Sequence, residues 1–141
     1  MNFVLRYKLF TVSVIFCLVV GCKKETRQLF EWKTREVTAT AYNSLAYQTN
    51  SNPHITAFGD SLKPGLKYIA VSRNLLQEGL GHNTLVQIEG LEGMYLVKDK
   101  MNRRWRNRID IYMGTNVKAA RTWGRRKVNI SYRVEVDLDS I

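Results

Sequence analysis

Apolar and polar side chains alternate along two segments of this sequence. In residues 37–42 every second position is Val or Ala, and in 127–137 every second position is apolar, namely Val128, Ile130, Tyr132, Val134 and Val136. A period of two residues is typical of a strand that buries one face and exposes the other. Both segments are therefore predicted to be β-strands that line a core.

Four shorter segments between them also have the composition of strands. They are residues 68–71, 84–89, 94–98 and 108–113. The turn signal Lys63-Pro64-Gly65 precedes the first of them. The sequence Gly-Leu-Glu-Gly at 90–93 predicts that the second and third form a β-hairpin.

Two short helices are predicted, over residues 73–78 and 117–123. Their capping and terminating residues are Ser72 and Gly79 for the first helix and Asn116 and Gly124 for the second. Many short strands with only two brief helices favour a small closed β-barrel, because closure leaves no strand edge exposed.

The first 21 residues have the parts of an export signal. Arg6 and Lys8 supply positive charge, and residues 9–20 are mainly apolar. Twelve helical residues cover about 18 Å of the roughly 30 Å hydrocarbon layer, which argues against a retained membrane helix. Residues 19–22, Val-Val-Gly-Cys, resemble a lipobox, so we expect residues 1–21 to be a lipoprotein signal peptide and Cys22 to carry the lipid.

The remaining chain divides into a tether and one domain. Residues 22–35 are mostly polar and are predicted to be a tether, whereas 36–141 have the length of one compact domain. Cys17 would leave with the signal peptide and Cys22 would be acylated. A domain without cysteine cannot hold a disulfide, a thiolate nucleophile or a cysteine-ligated metal.

The charge of the mature chain indicates an anionic partner. The sequence has 22 basic and 12 acidic residues, and only Arg6 and Lys8 lie in the leader, so about +8 remains. An exported, lipid-anchored protein meets cell-wall polymers and lipid headgroups rather than nucleic acid. We therefore expect a place in the cell envelope, at the periplasmic face of an outer membrane, with a cell-wall polymer or anionic lipid headgroups as the partner and no obligate protein partner.

Carboxylates are the best candidates for chemistry. The sequence has no Gly-rich phosphate loop and no metal-spaced cluster of His and acids, and His54 and His82 lie in predicted loops, so neither a metal nor a cofactor is expected. Asp110 stands between Ile109 and Ile111, where loss of hydration raises the pKa of a carboxyl toward the range of a general acid. Asp99 ends the preceding strand, and a loop returns the chain to Asp110.

A structural role for both aspartates is the alternative. Each could pair with an arginine of the following run, which contains Arg103, Arg104, Arg106 and Arg108, or accept backbone N–H groups at a turn. Spacing alone leaves both interpretations open.

Several short motifs resemble the three-aspartate ("3D") domain family. They are residues 39–42, Gly59, 63–65, 69–71, Asp99, 108–112 and 124–128, within a match over 37–132. The family includes the C-terminal domain of membrane-bound lytic transglycosylase A and stationary-phase survival proteins related to resuscitation-promoting factors. The resemblance implies a mainly β fold, a small six-stranded double-psi β-barrel with two short helices, that binds peptidoglycan and in catalytic members cleaves its glycan strand.

The resemblance also implies residue roles. The third family aspartate, the general acid and base, falls on Asp110, and the second falls on Asp99, eleven residues earlier. The implied activity is that of a lytic transglycosylase, which leaves a 1,6-anhydromuramic end and needs no cofactor. Candidate substrate-binding residues are Tyr112, Trp105, Arg108, Arg103 and Asp60.

The sequence departs from the family pattern at two places. Ser72 stands where the first family aspartate is expected, with Asn74 two residues later. Residues 100–105 replace a loop that in the family often contains Gly-Gly. The alternative function is a non-catalytic peptidoglycan-binding module that docks through Trp105, Tyr112 and the basic run at 103–108.

Overall fold

A computed structural model of the protein describes residues 29–45 and 54–136. The predicted leader and Cys22 lie outside these residues. The described part contains, in chain order, β1 (Leu29–Tyr42), β2 (Tyr68–Val71), α1 (Arg73–Gln77), β3 (Leu85–Ile88), β4 (Met94–Lys100), β5 (Arg108–Tyr112), α2 (Val117–Trp123) and β6 (Arg126–Val136). None of the helices in 29–45 and 54–136 is long and apolar enough to cross a membrane.

The six strands close into a barrel in the order β1-β5-β2-β4-β3-β6, with β6 returning to β1. The pairs β1–β5 and β2–β4 are parallel, and the other pairs are antiparallel. This is the double-psi β-barrel that the family resemblance implied, and the predicted fold class is confirmed. Its interior is aliphatic: the fully buried side chains include Ile69, Ile88, Ile109, Ile111 and Ile130. Burying one such side chain stabilises the fold by about 1.5–3 kcal/mol.

The predicted strands and helices correspond closely to the observed ones. The strand 68–71 and the helix 117–123 have the predicted bounds, and 84–89 and 94–98 pair as an antiparallel hairpin. Asn116 caps α2, because its side-chain oxygen accepts the N–H of Ala119 at 2.9 Å. In β6 the alternation also holds, with Val128, Ile130 and Tyr132 buried.

The predicted tether at 22–35 is wrong in its second half. Strand β1 already begins at Leu29 and pairs with β6 from Leu29↔Val136 to Ala39↔Arg126. Residues 29–32 of β1 and 133–136 of β6 extend beyond the pairing of these strands with β5 and β3, and we call this two-stranded segment the terminal ribbon. The polar residues of 29–35 are compatible with a strand because pairing with β6 satisfies the backbone hydrogen-bonding groups while the side chains remain exposed.

Ser72 holds the start of β5 instead of capping α1 with its side chain. Its hydroxyl accepts the N–H of Arg108 at 3.0 Å and donates to Oδ1 of Asn74 at 2.9 Å. The same Oδ1 accepts the N–H of Asn107 at 3.0 Å. Ser72 is fully buried. The residue at the position of the first family aspartate therefore fastens the end of β2 to the start of β5.

We expect Ser72→Ala to lower the free energy of unfolding by about 1–3 kcal/mol, because it removes the acceptor of a buried N–H. Equilibrium denaturation in urea measures this loss. Ser131→Ala is the matched control, since the Ser131 hydroxyl bonds Thr34 at an exposed position, and we expect it to change stability by less than about 0.5 kcal/mol. Equal losses in the two variants would contradict the assigned role of Ser72.

Candidate active site

Strand register brings the two candidate aspartates to one surface. On β5, Asp110 is in register with Thr40 of β1 on one side and with Ala70 of β2 on the other. Ala70 is also in register with Asp99 of β4. Side chains in register on neighbouring strands share a face. The carboxylates therefore flank Ala70, with backbones two strand spacings, about 10 Å, apart.

An extra residue in β4, Lys98, decides which residue of β4 lies beside Ala70. The β2–β4 register shifts between Ile69, which pairs with Val97, and Ala70, which pairs with Asp99. Without the shift Ala70 would be opposite Lys98. Bulges of this kind change the direction of a side chain next to a site. Here the bulge places an acid instead of a base beside Ala70, on the face that also carries Asp110.

The two aspartates border a cleft of about 290 Å³. Its lining residues are Tyr42, Ala70, Asp99, Lys100, Met101, Asn102, Trp105 and Asp110. Ala70 contributes only a methyl group between the two carboxylates, so the space between them stays open. The segment between β4 and β5 supplies one wall, which includes Trp105.

The Asp110 side chain is partly buried and accepts one hydrogen bond from the described residues. Its Oδ1 accepts the hydroxyl of Thr40 at 3.0 Å. Burial raises the pKa of Asp110 to about 6, against the lowering effects of the Thr40 bond and the Arg108 charge, and the Asp99 charge adds a smaller increase. With this pKa about a tenth of the side chains carry a proton at pH 7. Such a carboxyl can both donate and accept a proton near neutral pH.

Asp99 is oriented by the backbone. Its Oδ1 accepts the N–H of Ala57 at 2.7 Å and of Lys100 at 2.8 Å. Burial raises the pKa of Asp99, while these two hydrogen bonds and the Lys100 charge oppose the increase. The hydrogen bonds fix the carboxylate and also attach the loop containing Ala57 to β4. The geometry suits a supporting role beside Asp110.

The described residues distinguish the two structural alternatives that the sequence left open. Within 29–45 and 54–136, neither Asp99 nor Asp110 forms a salt bridge. The guanidinium of Arg108 instead lies 3.8 Å from the ring centre of Trp105, and that of Arg104 lies 4.8 Å from it. Acceptance of backbone N–H groups is observed, but only at Asp99. Asp110 is thus desolvated, and Arg108 lowers its pKa through its charge without forming a salt bridge to it.

Three of the predicted substrate-binding residues lie around the segment 101–107. Trp105 lines the cleft, as its predicted role requires. Arg108 is only 8% exposed, and its guanidinium covers the Trp105 ring. Its role is therefore to position that ring. Arg103 is exposed and lies outside the cleft lining.

Two predicted binding residues are placed elsewhere, which corrects the sequence-based expectation. Tyr112 is 3% exposed, and its hydroxyl bonds Oγ of Ser44 at 2.8 Å, so it cannot pack on a sugar in this arrangement. Both oxygens of Asp60 are engaged, by Lys98 at 2.8 Å and by Nε2 of His82 at 2.6 Å. The Lys98 hydrogen bond is the main reason that the pKa of Asp60 is lowered. His82 is a hydrogen-bonded loop residue, as predicted.

Tyr42 is a cleft residue that the site prediction missed, as it also missed Lys100 and Asn102. Its hydroxyl is buried and has no hydrogen-bond partner among the described residues. Burial, followed by the charges of Asp99 and Asp110, raises its pKa, so the phenol stays protonated. Buried polar groups are rarely left unpaired, which makes this O–H a candidate donor to a bound ligand. Tyr42 is two residues beyond Thr40 on β1 and therefore lies on the same face of the strand. This period of two was the sequence signal that could have placed Tyr42 beside Asp110.

No family model matches this sequence, and no curated protein does. Among solved structures, the chain is similar to the Streptomyces papain inhibitor, with 16% identity and a TM-score of 0.50 over 72% of this chain and 94% of that one. It also matches a mutant expansin of Clavibacter michiganensis in complex with cellohexaose, with 20% identity and a TM-score of 0.43 over 74% of this chain and 51% of that one. The similarity to the inhibitor shows a shared barrel fold.

The raised pKa of Asp110 predicts a pH-dependent gain in stability for Asp110→Asn. The unfolded carboxyl ionises near its ordinary value and the folded one near 6, so burying the charge destabilises wild type increasingly as pH rises through this window. We expect the variant to be more stable by about 3 kcal/mol at pH 7.5 and equal to wild type near pH 3. Thermal denaturation at both pH values measures the difference.

Asp60→Asn is the matched control with the opposite sign. Because the folded pKa of Asp60 is lowered, its stabilising effect is present at neutral pH and is lost as pH falls through that lowered value. We expect this variant to be less stable than wild type at pH 7.5. A loss of stability at pH 7.5 in Asp110→Asn as well would mean that Asp110 is a structural ion-pair partner.

Proposed function

We propose that this protein is a lipid-anchored, cell-envelope member of the three-aspartate family that cleaves peptidoglycan as a lytic transglycosylase. The observation that carries the proposal is the pair Asp99 and Asp110, two desolvated carboxylates on either side of the Ala70 floor, with no arginine neutralising them in the described residues. Burial without an ion-pair partner lowers stability, and such an arrangement is typical of catalytic acids.

Asp110 performs both proton transfers in this mechanism. In its protonated form it gives a proton to the glycosidic oxygen between N-acetylmuramic acid and N-acetylglucosamine, and the bond from that oxygen to the anomeric carbon breaks through an oxocarbenium-like transition state. The muramic 6-hydroxyl then bonds to the anomeric carbon, and its proton passes to Asp110. The product is a 1,6-anhydro ring, and the acid is regenerated.

The surrounding residues adjust and position this chemistry. Asp99 raises the pKa of Asp110 through its charge and is held by backbone N–H groups. The Tyr42 hydroxyl is available to donate to a sugar oxygen. Trp105 presents an aromatic edge of the cleft against which a sugar face packs, while Arg108 holds the ring.

The second candidate function is a non-catalytic peptidoglycan-binding module. It is favoured by the cations near the cleft: Lys100 lines it, and Arg104 and Arg108 lie against the ring of Trp105. Binding of an anionic wall polymer needs charge and an aromatic surface but no proton transfer. The two functions differ in the product, because only the enzyme releases anhydromuropeptides.

The enzymatic proposal predicts that Asp110→Asn abolishes glycan cleavage while sacculus binding persists. Asn keeps the shape and hydrogen bonding of the side chain but removes proton exchange, which is worth roughly 100-fold to 10,000-fold. Purified protein is incubated with peptidoglycan sacculi, and anhydromuropeptides are quantified by mass spectrometry. Asp60→Asn, which alters an acid outside the cleft, is the control and should retain cleavage.

Asp99→Asn tests whether Asp99 supports Asp110 or is itself essential for cleavage. We expect a smaller loss of rate and a lower pH optimum, because removing a neighbouring negative charge lowers the pKa of Asp110. Folded Asp110→Asn protein that cleaves at the wild-type rate would refute the assignment of Asp110. A wild-type protein that binds sacculi and releases no anhydromuropeptide would identify the binding module instead.

Lipid anchoring is proposed at Cys22, at the periplasmic face of an outer membrane. The lipobox-like residues 19–22 support it, together with the start of β1 only seven residues later, at Leu29. We expect Cys22→Ser to leave an unprocessed precursor and to abolish incorporation of labelled fatty acid, because the acyl-transferring enzyme requires the thiol. Normal acyl labelling of this variant would exclude Cys22 as the anchor.

A further inference from the structure

The terminal ribbon exposes an unusual concentration of large apolar side chains. In the described residues, five large hydrophobic side chains are exposed, and three of them lie within four positions of β1: Leu29 at 50%, Phe30 at 41% and Trp32 at 51%. The other two, Ile55 and Met94, are isolated from this group in sequence. Single exposed hydrophobic residues are ordinary, whereas a cluster marks a surface with a partner.

One cation, Arg133, accompanies the aromatic rings of the ribbon. Phe30 and Trp32 lie two residues apart on β1 and therefore share a face, and Trp32 is in register with Arg133 of β6. The Arg133 guanidinium lies 4.3 Å from the ring centre of Phe30. Tryptophan and other amphipathic aromatic rings favour the level of lipid headgroups, and basic side chains beside them favour anionic lipids.

The position of the ribbon in the chain identifies its partner. Cys22 lies seven residues before Leu29, and seven residues span at most about 25 Å. An acyl group on Cys22 would therefore keep the ribbon close to a bilayer. The intervening residues add Lys23, Lys24 and Arg27 against the single acid Glu25, which matches an anionic headgroup layer.

We propose that the terminal ribbon docks on the bilayer surface, with Phe30 and Trp32 at the headgroup level and Arg133 paired with anionic lipid. This inference rests on the lipid anchor at Cys22 proposed above. It also gives the anchored domain an orientation. Thr40, beside Asp110, is eight residues beyond Trp32 on the same strand, so β1 separates the catalytic cleft from the membrane contact by about 25 Å.

The test uses the acylated, processed protein reconstituted into vesicles that contain phosphatidylglycerol. Tryptophan emission is compared between vesicles with ordinary and with brominated acyl chains, since bromine quenches only indoles near the bilayer. We expect quenching in wild type and its loss in Trp32→Phe, which removes the reporter. Trp105→Phe and Trp123→Phe should keep the quenching, because Trp105 lines the cleft and Trp123 is 9% exposed in the core.

Phe30→Ser and Ile55→Ser form a matched pair that tests the surface rather than the reporter. Both remove an exposed apolar side chain, but only Phe30 lies on the ribbon. We expect Phe30→Ser to weaken the quenching of Trp32 and Ile55→Ser to leave it unchanged. Equal effects of the two substitutions would overturn the proposal.

The other outcomes of this experiment overturn the proposal, and some of them identify a different partner for the ribbon. Unquenched Trp32 in acylated protein overturns membrane docking, and protection of Trp32 by added glycan fragments or by a second protein copy would identify the occupant instead. Absence of acylation at Cys22 overturns the inference together with the anchor. Failure of the catalytic proposal is seen separately, as missing anhydromuropeptides, and leaves the quenching result unaffected.

Discussion

The arrangement of the site depends on one constraint, which is the place of β5 between β1 and β2. The parallel pairing with β1 and the antiparallel pairing with β2 bury Ile109 and Ile111 inside the barrel. With these two side chains fixed inward, the alternation of the strand directs Asp110 to the cleft. Ser72 secures the first residue of β5 by accepting its N–H. A slip of one residue would exchange the buried and exposed sides, so the core and the site share one register.

Local signals allowed most elements to be predicted, and long-range pairing explains what was missed. The helix 117–123 was predictable because Asn116 and Gly124 act within a few residues of its ends. The role of residues 29–35 was not, since their exposed apolar and polar side chains form a strand only through pairing with β6. The bulge at Ile69/Ala70 likewise exists only in relation to β4. The period of two residues was enough to identify Asp110 as a candidate. The residues that surround it in the cleft could be identified only from the register of the paired strands.

Ser72, which stands where the family resemblance expects an aspartate, has a role that does not involve the cleft. An acid at this position would be expected to take part in the site, yet the Ser72 hydroxyl faces the backbone of Arg108 and the side chain of Asn74. Ser72 is also absent from the residues that line the cleft. Its contribution to Asp110 is indirect, through the position of β5. Ser72 therefore bears on the stability of the strand, and the proposed chemistry depends on Asp110 and Asp99.

Electrostatics connects the stability of this barrel to its proposed activity. The burial that raises the pKa of Asp110 to about 6 also makes its charged form unfavourable in the folded state. An arginine pair would remove this cost, but it would lower the pKa and leave little protonated acid at neutral pH. In the described residues the Arg108 guanidinium instead covers Trp105, close enough to moderate the pKa and outside salt-bridge contact with Asp110. The energetic cost at Asp110 is therefore the same physical quantity that makes it usable as an acid.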